Sequence, residues 1–133
     1  MDAKDLIALI ERDETDRVEL TVSVTDTDKF SEAICAFAND LPNHRSPGYL
    51  IIGIDGKKLQ PAGLSLSEEF LRNLGGLRET GNIQPLPSLT VEKLTLPGGE
   101  VAVVIVQPSL LPPVRYKGRV CIRLGPRRGY ASE

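Results

Sequence analysis

The chain has 133 residues, 41% hydrophobic and 26% charged, with a formal net charge of −2. That is enough for one hydrophobic core without staples, and the balance is that of a soluble globular domain, not a disordered or fibrous chain. A slightly acidic total also excludes the strong generic attraction for polyanions that a very basic domain would have.

No apolar run approaches bilayer-spanning length, and Met1 is followed by Asp2, not by a basic and then apolar leader. The chain therefore reads as cytoplasmic, with no membrane partner. Cys35 and Cys121 lack CxxC spacing and a neighbouring His, so they read as buried free thiols in preference to a disulfide or a metal site.

Asp2 to Arg12 reads as an amphipathic helix with Leu6, Ile7, Leu9 and Ile10 on one side. An acidic connector, Asp13 to Asp16, leads to a short strand in which Val18, Leu20 and Val22 alternate with Arg17, Glu19 and Thr21. Glu19 is thereby expected to point away from the apolar face. Asp26 or Thr27 caps the next helix, whose buried stripe is Ala33, Ile34, Phe37 and Ala38. Asn39 reads as its C-cap. A loop rich in Pro, Asn, Ser and Gly, which includes His44, precedes Tyr49 to Ile54, a strand apolar on both faces. It ends at the turn signal Asp55-Gly56.

Ser65 or Ser67 starts a helix carrying Phe70, Leu71 and Leu74, and Ser65 with Glu68 fits a capping box. Gly75-Gly76 weakens or ends it, and Thr80 to Pro87 reads as irregular. Leu89 to Leu96 and Val101 to Val106 form a hairpin through Pro97-Gly98-Gly99. Ser109 to Pro113 is a crossover loop, because proline removes ladder donors. Lys117-Gly118 turns into a last strand, Arg119 to Leu124, followed by a polar tail expected to be mobile. The sum is an α/β (α+β) single domain: a mixed β-sheet with flanking helices.

Charge is distributed unevenly. Met1 to Asp40 holds eleven acids and four bases, whereas Gln107 onward holds six bases against Glu133 alone. Those six, Arg115, Lys117, Arg119, Arg123, Arg127 and Arg128, form the best candidate binding set. Arg119 and Arg123 share a face of one strand, and Tyr116 or Tyr130 is available to stack on a base. The set carries no evident base-reading code.

Several segments occur in a recognisable order: ETDRVEL at Glu14 to Leu20, AFAN at Ala36 to Asn39, GYLIIGID at Gly48 to Asp55, and PSLLPPVRYKGRVCIRLG at Pro108 to Gly125. Together they resemble the Schlafen AlbA-type domain of bacterial transcriptional regulators and helicase-related proteins, over nearly the whole chain. The resemblance implies nucleic-acid binding, DNA ahead of RNA. It implies that residues 1–133 are one such domain, the N-terminal part of a longer protein. Schlafen cores pair two similar lobes, which implies a homodimer as an option for a lone lobe. In some members the family also cleaves RNA with three carboxylates, which implies Glu14, Glu19 and Asp55 here as catalytic residues and ligands of Mg²⁺ or Mn²⁺. Under the binding reading no cofactor is expected. The family's E-F-K stands here as Glu19-Leu20-Thr21.

The first reading is thus a non-enzymatic nucleic-acid-binding module of a transcription regulator or helicase-related protein. A metal-dependent endoribonuclease and a protein-interaction scaffold are the alternatives.

Overall fold

The computed structural model describes residues 1–11 and 16–131. In chain order they form α1 (Ala3–Glu11), β1 (Val18–Thr21), α2 (Thr27–Asn39), β2 (Gly48–Ile52), β3 (Ile54–Asp55), β4 (Gln60–Pro61) and α3 (Glu68–Gly76). A 3-10 turn follows at Leu77–Glu79, then β5 (Ile83–Gln84), β6 (Leu89–Leu96), β7 (Gly99–Val106), β8 (Arg115–Tyr116), β9 (Arg119–Leu124) and β10 (Arg127–Tyr130). The class is α+β.

The main sheet has the order β1-β2-β7-β6. Its β1–β2 pair is parallel, with Glu19 opposite Leu50, and is joined through α2 as a crossover; the other two pairs are antiparallel. Alternation on the central strands serves two cores. Leu50, Ile52, Ala102, Val104 and Val106 face α2, while Ile51, Val101 and Val103 face Leu6 of α1 on the other side. This is why β2 and β7 read as continuous apolar runs.

A second sheet, β10-β9-β8-β5, closes over the far side of α2. The helix is therefore enclosed: eight of its residues, Phe30, Ser31, Ala33, Ile34, Cys35, Ala36, Phe37 and Ala38, are buried. Small residues let the layers approach. A Cβ on Gly48 would sit 2.2 Å from Cγ of Phe37, so only glycine fits where β2 meets α2.

Several local expectations change. Asp26 caps α2 by accepting Lys29 N–H, but the αL C-cap is Asp40, not Asn39. Ser67, not a Ser65–Glu68 box, caps α3 by accepting Phe70 N–H. The strand expected to run to Ile54 breaks at Gly53, whose φ of 113° is open to glycine, and β3 then pairs with β4. The irregular stretch contains β5, and the tail expected to be mobile forms β10, with Arg128 opposite Arg123.

Candidate nucleic-acid interface

The candidate surface is built on a meander of two tight hairpins. Lys117 and Gly118 join β8 to β9 with φ of 49° and 82°, the double positive φ that a two-residue hairpin turn favours. Gly125, with φ of 59°, opens the turn to β10 before Pro126. Directly opposed residues share a face of the sheet. One face carries Gln84, Arg115, Val120, Ile122, Leu124 and Arg127; the other carries Tyr116, Arg119, Cys121, Arg123, Arg128 and Tyr130.

The second of these faces packs on α2, although it is the more basic one. Arg123 is only 6% exposed. Its Nη1 lies 2.5 Å from Oε1 of Glu19, its Nη2 donates to the Val18 carbonyl at 2.9 Å, and its guanidinium stands 5.5 Å from the Phe37 ring centre. Arg128 donates from Nη1 to Oε2 of Glu19 at 2.9 Å and to the Lys29 carbonyl at 3.2 Å. Glu19 points away from the Val18 and Leu20 face as expected, but that side is buried too: the carboxylate lies under the second sheet with a guanidinium on each oxygen. Two charges removed from water are tolerated here because each has an opposite charge and further hydrogen bonds.

The tyrosines are engaged as well. The Tyr116 hydroxyl donates to Oδ1 of Asp28, whose carboxyl is held below its usual range by that bond and then by Lys117. The Lys117 ammonium stands 3.4 Å from the same carboxylate, and its pKa is raised by Tyr116 and Asp28. Tyr130 donates to Glu32, which pushes its phenol up to about 12, while Arg119 lies over its ring at 3.5 Å. Tyr116 is buried, and Arg119 covers one face of the half-buried Tyr130, the two rings that the sequence had suggested for stacking on a base.

Arg115, Lys117, Arg119 and Arg127 remain exposed along the meander. Arg115 donates to the Gly118 carbonyl at 3.3 Å, bracing the hairpin turn. The structure thus splits the six basic positions into four at the surface and two, Arg123 and Arg128, that tie the layers together.

The carboxylate set is placed less coherently. Glu14 lies outside the described residues. Asp55 closes its own turn, with Oδ1 accepting Lys57 N–H at 2.8 Å and Lys58 N–H at 3.0 Å; these bonds lower its pKa, Lys58 first. Among the described residues no group of three or more His, Cys, Asp or Glu side chains is arranged to hold a metal ion. With both Glu19 oxygens on arginines, the described donors do not fit a Mg²⁺ or Mn²⁺ centre.

Two polar residues matter more than sequence reasoning allowed. Asn39 clips β8 and β9 to α2: Oδ1 accepts Val114 N–H at 2.6 Å, and Nδ2 donates to the carbonyls of Val114 at 2.9 Å and Cys121 at 2.7 Å. Arg17, only 8% exposed, donates to the carbonyls of Ser46 at 2.5 Å and Pro47 at 3.2 Å. It also lies 3.4 Å from Asp40, which accepts the His44 and Arg45 N–H groups, so one ion pair fixes the loop before β2. His44 is engaged too, with Nε2 2.5 Å from Asp16. The available signal was the run AFAN followed by an acid, which marks a helix end without saying what it holds.

A family model described as Schlafen, AlbA_2 matches residues 14–131. The chain belongs to the Schlafen AlbA_2 family. Among solved structures, this Schlafen AlbA_2 domain resembles the N-terminal domain of an ATP-dependent DNA helicase RecG-related protein from Nitrosomonas europaea. That match has a TM-score of 0.62 and 24% identity, covering 81% of this chain and 74% of that one. It also resembles the DIP2311 protein of Corynebacterium diphtheriae, with a TM-score of 0.62 and 16% identity over 96% of this chain and 28% of the other. At these identities the likeness is one of fold. No curated protein sequence matches the chain at a significant level. Family membership points to a nucleic-acid-related role.

Proposed function

We propose that this Schlafen AlbA_2 domain is a nucleic-acid-binding module that contacts the phosphate backbone of duplex DNA, within a transcription regulator or helicase-related protein. The observation that carries the reading is the clustering of Arg115, Lys117, Arg119 and Arg127, all exposed, on one small meander of an otherwise slightly acidic chain. Guanidinium and ammonium groups spaced along strands neutralise phosphates and release counterions. Single-stranded binders add aromatic platforms, whereas here Tyr116 is buried and Arg119 covers one face of Tyr130. Backbone contact without a stacking platform or an evident base-reading code favours duplex over single strands and weak sequence preference. The name of the helicase-related neighbour is in keeping with this reading.

The test is fluorescence anisotropy with duplex DNA, single-stranded DNA and structured RNA at two salt concentrations, with and without Mn²⁺. Duplex DNA should bind best, with a log–log salt slope no steeper than about −4 for four phosphate contacts. Arg127→Ala should reduce that slope by about 1 and leave the melting temperature unchanged. Salt-independent binding, or an unchanged slope in that variant, would refute the assignment. Mn²⁺-dependent RNA cleavage by the parent chain would replace it with the nuclease reading.

A further inference from the structure

The loop between β7 and β8 presents two leucines to water. Leu110 is 95% exposed and Leu111 73%, the highest values among the large apolar side chains described. The loop that carries them is held in place. Gln107 N–H donates to the Ser88 carbonyl at 2.9 Å, Ser109 N–H to the Ala38 carbonyl at 2.8 Å, and Val114 N–H to Oδ1 of Asn39 at 2.6 Å. Ser109 Oγ accepts Leu111 N–H at 3.1 Å, and Pro108, Pro112 and Pro113 restrict the backbone on both sides of the pair. Two apolar side chains fixed in water gain free energy when they enter a drier environment.

Their neighbours suit a polyanion. Leu110 and Pro112 line one concavity with Asn43 and the exposed Arg45. The carboxylate there, Asp40, is buried and stands 3.4 Å from Arg17, so its charge is already compensated. Arg115 opens β8 four residues after Leu111, a reach of no more than about 14 Å, or about four base pairs. The leucine tip and the cationic meander can therefore touch the same stretch of one duplex. Other occupants fit the pair less well. Stable membrane attachment needs a larger apolar anchor or a second signal, and a lasting contact between copies of the chain buries about 800 Å² on each. Two leucines fall well short of either, whereas one inserted apolar side chain is enough to open a base step.

We propose that Leu110 and Leu111 form a wedge that inserts from the minor groove between base pairs of duplex DNA, kinking it while the cationic meander holds the adjoining backbone. The wedge rests on the duplex-binding reading and adds to it the place where the partner is deformed. Pyrimidine–purine steps such as TA unstack easily and A-tracts resist, so the wedge supplies a sequence preference that needs no hydrogen bond to a base edge.

The test uses a duplex of about 20 base pairs with a central TA step, a fluorescent adenine analogue in that step that brightens on unstacking, and a donor–acceptor dye pair on the ends. Saturation with the parent chain should brighten the analogue and raise energy transfer, as a bend of about 20–90° requires. Replacing the TA step by an A-tract should weaken parent binding roughly tenfold. Leu110→Ser with Leu111→Ser should lose the brightening, most of the bend and the preference for TA, with the salt slope and melting temperature at parent values. Salt-sensitive binding with a dark analogue and no bend, or a serine variant that bends the duplex like the parent, would overturn the wedge and leave the phosphate reading standing. No binding to duplex at all would overturn both. If the duplex stays unbent, leucine-dependent binding to phosphatidylserine-containing vesicles would assign the pair to a membrane. Leucine-dependent dimerisation in gel filtration, again with unbent duplex, would assign it to a second copy of the chain. The parent's own readouts decide the matter even where the variant fails to fold.

Discussion

Replacing Glu19 by alanine tests whether the buried ion cluster organises the domain. In the parent, Arg123 is buried: its guanidinium is held by Glu19 at 2.5 Å and by the Val18 carbonyl at 2.9 Å, against the Phe37 ring. Removing the carboxylate takes the Glu19 contact from a buried guanidinium and strips Arg128 of its 2.9 Å carboxylate partner. Breaking one side of a buried pair costs about 3–5 kcal/mol. For a chain of this length that is a fall of roughly 10–18 °C in melting temperature. Urea titration should show the same loss as a lower midpoint with an unchanged slope, because the folded and unfolded states expose similar surface in both proteins. Adding Arg123→Met should recover part of the loss, with a coupling of about 1–3 kcal/mol, since the buried guanidinium is removed along with the carboxylate it faced. A Glu19→Ala protein that melts within about 2 °C of the parent would refute the reasoning. Glu19 would then be an accessible carboxylate, open to the metal-binding role its sequence position suggested.

Other consequences follow from the same seam. Asn39→Ala removes the acceptor of the Val114 N–H and one donor from each of the Val114 and Cys121 carbonyls, and should cost about 2–4 kcal/mol by urea titration. Asn39→Asp restores the acceptor but not the donor, and should lie between alanine and the parent. Gly48→Ala drives a methyl group to 2.2 Å from Phe37 between two packed layers, and should lower stability by about 1–3 kcal/mol or more; pairing it with Phe37→Leu should relieve part of the cost. At alkaline pH the phenol of Tyr130, raised to about 12 by the Glu32 carboxylate, ionises later in the folded chain than in the unfolded one. Its contribution is complete below about pH 10 and is lost as pH climbs from there toward 12. Absorbance titration should show the highest tyrosinate step vanish in Tyr130→Phe, and an unchanged titration curve would remove Glu32 as the cause.

What could be read from the sequence was what is decided locally. The stripe of Ala33, Ile34, Phe37 and Ala38, the apolar run of β2 and the Pro97-Gly98-Gly99 hairpin each carry their own periodicity or turn chemistry, and each appears in the fold. The strand β9 was harder, because its alternation of Val120, Ile122 and Leu124 with Arg119, Cys121 and Arg123 is genuine but does not say which side is inside. Apolar periodicity argues for burying the valine side, yet Leu124 is 59% exposed and Arg123 is 6% exposed. The decision is made by Glu19, 104 residues earlier, whose charge gives Arg123 a buried partner. Asn39 is the same kind of case, since its partner Val114 is 75 residues away. The two chemistries suggested by the sequence, an acid for a metal and arginines for phosphate, drew on opposite ends of one ion cluster. Glu19, Arg123 and Arg128 hold each other, and what they hold in place is the meander carrying the four exposed cations. A change at Glu19 should therefore weaken nucleic-acid binding through loss of the folded sheet, in step with stability. A change at Arg127 should weaken binding with stability intact, and that contrast separates the support from the surface it supports.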